Sequence, residues 1–119
     1  MQPLIYVRES DKLSTVIEVM NEKGISQVPV RDPGGRVKGI VNESSLLKAI
    51  YEGRVKSSDS AESLTLPLVE FVEANESVEH VMKTLVGGKV ALVLSPDKHG
   101  EYIGIVTKID LLNFISARQ

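Results

Sequence analysis

The chain has 119 residues, of which 42% are hydrophobic, 25% are charged and only 4% are aromatic. A chain of this length can bury a core of its own, and the scarcity of aromatic residues predicts that this core is aliphatic. The 14 basic and 16 acidic residues are scattered along the chain and give a net charge of -2, which argues against a nucleic-acid partner.

The sequence excludes several other classes of protein. It contains no cysteine, which rules out disulfide bonds, thiolate metal ligands and cysteine nucleophiles. No apolar run approaches the roughly 20 residues that span a bilayer, and the first residues lack the features of a secretory leader. We therefore expect a cytoplasmic protein without a membrane partner. The abrupt start in strand-like sequence favours a piece excised from a longer protein.

The first predicted helix has apolar residues at helical spacing, namely Leu13, Val16, Ile17 and Met20. Ser10 is the candidate N-cap before this helix, and Gly24 is the candidate left-handed residue that ends it. The runs Gln27 to Val30 and Val37 to Val41 flank a turn at Asp32-Pro33-Gly34-Gly35 and predict a hairpin. A first unit of mixed α/β class is therefore expected here.

A second helix completes this unit and is marked by Leu46, Leu47 and Ile50. The polar stretch from Glu52 to Ser63 that follows is predicted to be a linker. We expect the first repeat in residues 1–53, the linker in 54–66 and a second repeat in 67–119.

The second half of the chain repeats the first half. A constant shift aligns residues 7–50 with residues 72–115 without a gap, as in a duplicated supersecondary unit. The identical pairs include Val28 with Val93 and the run Gly39-Ile40-Val41 with Gly104-Ile105-Val106. Each repeat therefore predicts a β-α-β-β-α unit. Because about 45 residues hold little core, the two sheets should pack about a pseudo-twofold axis and create two related clefts.

The elements of the second repeat follow the same order. The apolar residues of its first helix are Val78, Val81, Met82 and Leu85. Asn75 is the candidate N-cap of this helix, and the pair Gly87-Gly88 is its candidate end. The runs 90–94 and 102–106 predict a second hairpin around a turn at 96–100. Leu111, Leu112 and Ile115 mark the last helix.

The run Gly104-Ile105-Val106-Thr107, with Asp110 three residues later, opens the last helix of this duplicated unit. In this setting the chain resembles a tandem CBS-domain pair, also called a Bateman module. The segment Leu47 to Val55 with Ser58-Asp59, and the segment Gly104 to Phe114, are similar to the C-terminal regulatory region of cystathionine β-synthases.

The resemblance implies a non-catalytic regulatory module. It implies an adenosyl ligand, S-adenosylmethionine or AMP, that acts allosterically, and no covalently bound cofactor. It also implies a homodimer formed through the helices. The attached catalytic domain would be that of a pyridoxal-phosphate-dependent cystathionine β-synthase.

Thr107 and Asp110 are the strongest candidate ligand-binding residues. A hydroxyl and a carboxylate three residues apart at a helix start can hydrogen-bond the two hydroxyls of a ribose. The same pattern also forms a capping box, and the two roles are compatible. The first repeat has Asn42 and Ser45 at these positions, so ribose recognition should be weaker there.

The predicted cleft has Thr107, Asp110, Ile105 and Val106 as its floor. Its wall comes from the other repeat and consists of Gly24, Ile25, Ser26, Gln27, Val28 and Pro29. Ile25 and Val28 could sandwich an adenine through apolar contacts. Animal-type cystathionine β-synthases have an aromatic residue in place of Ile25 and an acidic residue in place of Ser26, so the ligand identity stays open. In the alternative interpretation, Ile25, Val28 and Pro29 form a buried edge strand.

The remaining charged and histidine residues give little support for phosphate binding, metal binding or catalysis. Lys108 and Lys38 are candidate cations for a phosphate-bearing ligand, with a solvated lysine as the alternative. His80 and His99 lack partners at metal-ligand spacing, and no nucleophile or acid-base pair is evident, so we expect no enzyme activity. Two rival functions remain: a structural dimerisation module with empty clefts, and the same fold attached to a transporter, a kinase or another enzyme.

Overall fold

The structure is a computed structural model that describes residues 5–73, 77–94 and 102–118. Its elements in chain order are β1 (Val7–Arg8), α1 (Leu13–Lys23), β2 (Gln27–Arg31), β3 (Val37–Asn42), α2 (Glu43–Tyr51), β4 (Val69–Glu73), α3 (Val78–Val86), β5 (Val90–Leu94), β6 (Tyr102–Val106) and α4 (Lys108–Arg118). A short 3-10 helix, Ala61–Leu64, lies between α2 and β4. The order β-α-β-β-α occurs twice, which confirms the predicted mixed α/β class. None of the described helices is both long enough and apolar enough to cross a membrane.

The strands form two three-stranded sheets, with the orders β1-β2-β3 and β4-β5-β6. In each sheet the first pair of strands is parallel and the second pair is an antiparallel hairpin. A parallel pair requires a crossover connection, and α1 and α3 supply it. The central strand of the first sheet is β2, so the interpretation of Ile25, Val28 and Pro29 as part of an edge strand is wrong.

The chain divides into two compact units, Ile5–Pro67 and the part from Leu68 onward. One hydrophobic core cluster, in the first unit, contains Val7, Leu13, Val16, Met20, Val28, Val30, Val41, Leu46 and Ala61. Another, in the second unit, contains Val72, Leu85, Ala91 and Val93. None of these residues is aromatic, as the composition predicts.

The start of α1 differs from the prediction. Its N-cap position is Lys12, whose side chain makes no capping hydrogen bond, so the assignment of Ser10 is wrong. The backbone N–H groups of Leu13 and Ser14 instead donate to the carbonyl oxygens of Asp59 and Ser57, at 2.8 and 2.9 Å. These carbonyl groups accept hydrogen bonds from backbone N–H groups of the first turn, which a capping side chain would otherwise satisfy.

The helix ends and the start of α3 follow local rules. Ser77 is the N-cap of α3, because its side chain accepts a hydrogen bond from the N–H of His80, whereas Asn75 lies outside the described residues. Gly24 ends α1 in the left-handed conformation, with a φ of 64°, and Gly88 has a φ of 86° after α3. The predicted left-handed ends of both helices are confirmed.

The gapless alignment of the repeats fails in the central strands. Val93 lies opposite Gly104, whereas the residue opposite Gly39 is Val30, so Val93 corresponds to Val30 rather than to Val28. Helix α3 has 9 residues and α1 has 11. The shorter helix is compensated by a longer connection between β5 and β6, which restores the alignment in the last strand.

The linker packs against the first sheet. The backbone groups of Ile40 and Leu66 exchange two hydrogen bonds, of 2.8 and 2.7 Å, along the outer edge of β3. Next to this bridge, a Cβ on Gly39 would meet the carbonyl oxygen of Leu66 and lie 2.8 Å from the carbonyl carbon. Gly39 therefore lets the linker backbone approach β3 closely.

Candidate functional site

The junction between β6 and α4 forms a compact polar cluster. Both the backbone N–H and the hydroxyl of Thr107 donate to Oδ2 of Asp110, each at 3.0 Å. The backbone N–H of Asp110 lies 3.5 Å from the Thr107 hydroxyl oxygen, and both residues are half-buried. This is the geometry of a capping box, so the structural role predicted for the Thr-x-x-Asp pattern is present.

The capping box leaves hydrogen-bonding capacity at the same place. Both hydrogen bonds to the Asp110 carboxylate use Oδ2, and Oδ1 accepts no hydrogen bond from any described residue. An ionised carboxylate has about four lone-pair sites, and the Thr107 hydroxyl oxygen can accept a further hydrogen bond. The cluster can therefore accept hydrogen bonds from a diol while it caps α4.

The two residues before this cluster face different surroundings. Val106 packs against the hydrophobic core of the second unit together with Leu111. Ile105 is also buried, at 8% exposure, and lies opposite Leu92 in the hairpin. Both side chains therefore hold the β6–α4 junction in place.

The predicted wall residues lie in the first unit, around the start of β2. Val28 and Pro29 are fully buried, and Val28 is part of the core of that unit. Ile25 is half-buried against the same core, whereas Ser26 is exposed. Gln27 is half-buried and lies opposite Asn42. The accessible members of the wall are therefore Ile25, Ser26 and Gln27, together with Gly24.

The first unit has a different cluster at the corresponding helix start. The side-chain oxygen of Asn42 accepts the backbone N–H of Ser45 at 2.8 Å, and the Ser45 hydroxyl donates to the Asn42 carbonyl oxygen. The N–H of Glu43 donates to the carbonyl oxygen of Ser26, which joins the wall segment to the start of α2. No carboxylate replaces Asp110 in this cap.

The two candidate cations have different surroundings. The ammonium group of Lys38 lies 2.7 Å from Oε2 of Glu9 and 3.5 Å from Oε1 of Glu62. The hydrogen bond to Glu9 is the main cause that raises the pKa of Lys38 above its ordinary value of 10.5. Lys38 is thus engaged within the first unit, while Lys108 is exposed in the first turn of α4.

A further polar cluster joins α3 to β4, and sequence reasoning missed it. The buried hydroxyl of Thr84 donates to Oε2 of Glu70, and Nε2 of His80 lies 3.4 Å from the same oxygen. His80 is exposed, as predicted, and His99 lies outside the described residues. In the described ranges, no group of three or more acidic or histidine side chains could hold a metal ion. Glu70 and Thr84 are too far apart in the sequence for a local sequence pattern to predict this cluster.

The chain matches known proteins along both repeats. The family model of the CBS domain matches residues 1–52 and 64–117. Cystathionine beta-synthase of Oryctolagus cuniculus is 26% identical over 115 residues, which are 88% of this chain and 21% of that protein. The chain thus spans about a fifth of the length of this curated relative.

Solved structures share the fold. A protein with CBS domains from Burkholderia ambifaria MC40-6 has a TM-score of 0.83 and 25% identity, over 99% of this chain and 86% of the other. The CBS domain of the bacterial CNNM/CorC family Mg2+ transporter has a TM-score of 0.77 and 24% identity, over 97% of this chain and 71% of the other. Similarity of fold therefore extends to a domain whose parent protein is a transporter.

Proposed function

We propose, from the premise that this chain belongs to the CBS domain family, that it is a regulatory module which senses an adenosyl ligand. A CBS domain pair is a non-catalytic module, so its effect on a reaction passes through an attached domain. Suppose that a ligand binds one arrangement of the module more tightly than another. The ratio of its two affinities then sets how far the equilibrium between the states of the attached domain shifts. Sensing therefore requires a ligand site and a coupled partner.

The observation that carries this proposal is the geometry of Asp110. One carboxylate oxygen holds Thr107 in place, and the other accepts no hydrogen bond from the described residues. A ribose brings two adjacent hydroxyl groups, which can donate to this oxygen and to the Thr107 hydroxyl. We propose Thr107 and Asp110 as the ribose-binding pair.

The charges near this pair favour an AMP-type ligand over S-adenosylmethionine. Lys108 is exposed in the first turn of α4, and the N-terminus of a helix carries a partial positive charge. Both features attract a phosphate and repel a sulfonium cation.

The proposed attached domain is the catalytic domain of a cystathionine β-synthase, since the rabbit enzyme is a relative along both repeats. The proposed homodimer forms through the helices. Leu47 and Tyr51 on α2 are 68% and 79% exposed, and Ile109 and Leu112 on α4 are both 60% exposed. Burial of such side chains in a dimer interface would stabilise it by the hydrophobic effect.

The test is a thermal-shift and calorimetric titration of the chain with AMP, ADP, ATP, S-adenosylmethionine and S-adenosylhomocysteine. A ligand at about 100 times its Kd should stabilise the fold by roughly 2.7 kcal/mol. Asp110→Ala should remove this stabilisation. Lys108→Gln should weaken AMP binding and slightly strengthen the binding of S-adenosylmethionine, because it removes a positive charge beside the site.

Asn42→Ala is the matched control for Asp110→Ala. Each variant loses a side-chain acceptor of a backbone N–H group at a helix start, with an expected cost of about 0.5–2 kcal/mol. Only Asp110→Ala should also lose the ligand response, because the first repeat lacks the carboxylate. An equal ligand response in both variants would reduce Asp110 to a capping residue and remove the basis of the proposal.

A second candidate function is a structural dimerisation module that binds no nucleotide. The exposed apolar residues of α2 and α4 favour it, since they support a dimer without any ligand. Sedimentation equilibrium with and without each nucleotide separates the two functions. A stable dimer that responds to none of the five ligands would favour the structural module.

A further inference from the structure

Strand β6 forms an outer edge of the second sheet, whose strand order is β4-β5-β6. Two of its residues, Gly104 and Ile105, are buried although they belong to an edge strand. Ile105 lies opposite Leu92 of β5. At the same position of the first sheet, Ile40 lies opposite Pro29. The outer edges of β6 and β3 can therefore be compared residue by residue.

The backbone of Ile40 shows in which direction the backbone groups of Ile105 point. Pro29 has no N–H group, and Ile40 directs both its N–H and its carbonyl oxygen away from β2, to Leu66. In an antiparallel pair the direction of these groups alternates along the strand, so residues at the same position of two matching hairpins direct them to the same side. The N–H and C=O groups of Ile105 thus point away from β5. No described residue forms an isolated bridge with Ile105, whereas Leu66 forms one with Ile40.

The buried edge at Ile105 has two properties of a strand that is covered by another segment. Buried backbone N–H and C=O groups are nearly always hydrogen-bonded, because an unpaired group costs about as much free energy as a lost hydrogen bond. Gly104 also repeats Gly39, whose lack of a Cβ admits the carbonyl group of Leu66. Glycine weakens the interior of a strand and often marks a close approach of another backbone. A backbone at β6 would therefore use Gly104 as the linker uses Gly39.

The sequence contains a suitable segment for this edge. The tripeptide Leu66-Pro67-Leu68 lies directly ahead of β4, and its first residue makes the bridge to β3. Proline cannot extend this bridge, because it has no N–H group. The dipeptide Pro-Leu occurs at one other place in the sequence, in Gln2-Pro3-Leu4 ahead of β1. Residues 1–4 precede the described part of the chain and bring no charged side chain to a buried edge.

We propose that residues 1–4 bind along the outer edge of β6 and form a backbone bridge with Ile105, as Leu66 does with Ile40. The linker, which precedes the second repeat, completes the sheet of the first repeat. Residues 1–4, which precede the first repeat, complete the sheet of the second. This exchange concerns backbone groups at the edge of β6 and does not depend on the proposed ligand.

The first test is NMR spectroscopy of the full chain without any substitution. We expect NOE cross-peaks between residues 1–3 and residues 104–105. The amide of Ile105 should exchange its hydrogen slowly, because its N–H group is bonded. The amide of Ile40 is the internal reference, since it donates to the carbonyl oxygen of Leu66 at 2.8 Å. Rapid exchange at Ile105 or the absence of these cross-peaks would overturn the proposal.

The second test is deletion of residues 1–4. Exchange of the Ile105 amide should become faster by about tenfold or more, while exchange of the Ile40 amide should stay unchanged. Gly104→Ala in the full chain should remove the cross-peaks to residues 1–3, because a Cβ would keep the segment away from β6. Slow exchange at Ile105 after the deletion would contradict the proposal. Protection that disappears on dilution of the full chain would assign the edge to a second copy and would also contradict it.

Discussion

The two repeats share their elements and differ at the start of their last helices. The first repeat caps α2 with the amide of Asn42, whereas the second caps α4 with Thr107 and the carboxylate of Asp110. Both arrangements satisfy the backbone donors of a helix start. Only the second cap adds a negatively charged carboxylate, and one oxygen of this carboxylate accepts no hydrogen bond from the described residues. The comparison shows that a fold can be duplicated while the chemistry of the same helix cap differs between the copies.

The repeats also differ in how their first helices are held. Backbone carbonyl groups of the linker cap α1, whereas Ser77, from its own segment, caps α3. The buried Ala61 of the linker is part of the core of the first unit. The first unit thus depends on the linker, and the variants below test this dependence.

The largest effect is expected for Gly39→Ala. The new Cβ would collide with the backbone carbonyl of Leu66, which has no freedom to move without breaking its two hydrogen bonds to Ile40. We expect a loss of about 3–5 kcal/mol in the free energy of unfolding, measured by urea denaturation. Gly53→Ala is the control, because Gly53 has a φ of 71° and open space around it, and should cost about 1–2 kcal/mol. Equal losses in the two variants would contradict close packing of the linker.

An intermediate effect on stability is expected when the side chain at the first position of α1 is shortened. Leu13 is fully buried, whereas Val78 at the aligned position of α3 is 41% exposed. Leu13→Ala should therefore lower the free energy of unfolding by about 2–5 kcal/mol, and Val78→Ala by about 0.5 kcal/mol. Thermal unfolding of both variants provides the measurement. Comparable losses would indicate that the two first helices are equally buried.

The smallest effect is expected for Lys38→Met. The contact with Glu9 raises the pKa of Lys38, so its stabilising contribution is complete below pH 10.5 and is lost as the pH rises through the raised value. The variant should have a slightly lower Tm than the wild type at pH 8, and this difference should vanish at strongly alkaline pH. A difference in Tm that is independent of pH would show that the lysine acts through its apolar stem.

Much of the fold follows from local sequence patterns. The order of elements, the two hairpins and the left-handed Gly24 were all predicted, because each depends on residues within one or two turns of chain. The capping interaction between Thr107 and Asp110 was predicted for the same reason, since it joins residues at i and i+3. The same reasoning failed for Ser10, because Asp59 and Ser57 cap α1 from far along the chain.

Local sequence patterns were enough to predict the duplicated β-α-β-β-α order and the polar residues at each helix start. Three other features became evident only in the folded chain: Val93 corresponds to Val30, Lys38 is paired with Glu9, and Arg8 lies beside Arg31. Periodicity and capping patterns record interactions over a few residues. Strand register, ion pairs and the approach of the linker depend on close packing between distant segments, where a shift of one residue changes every partner.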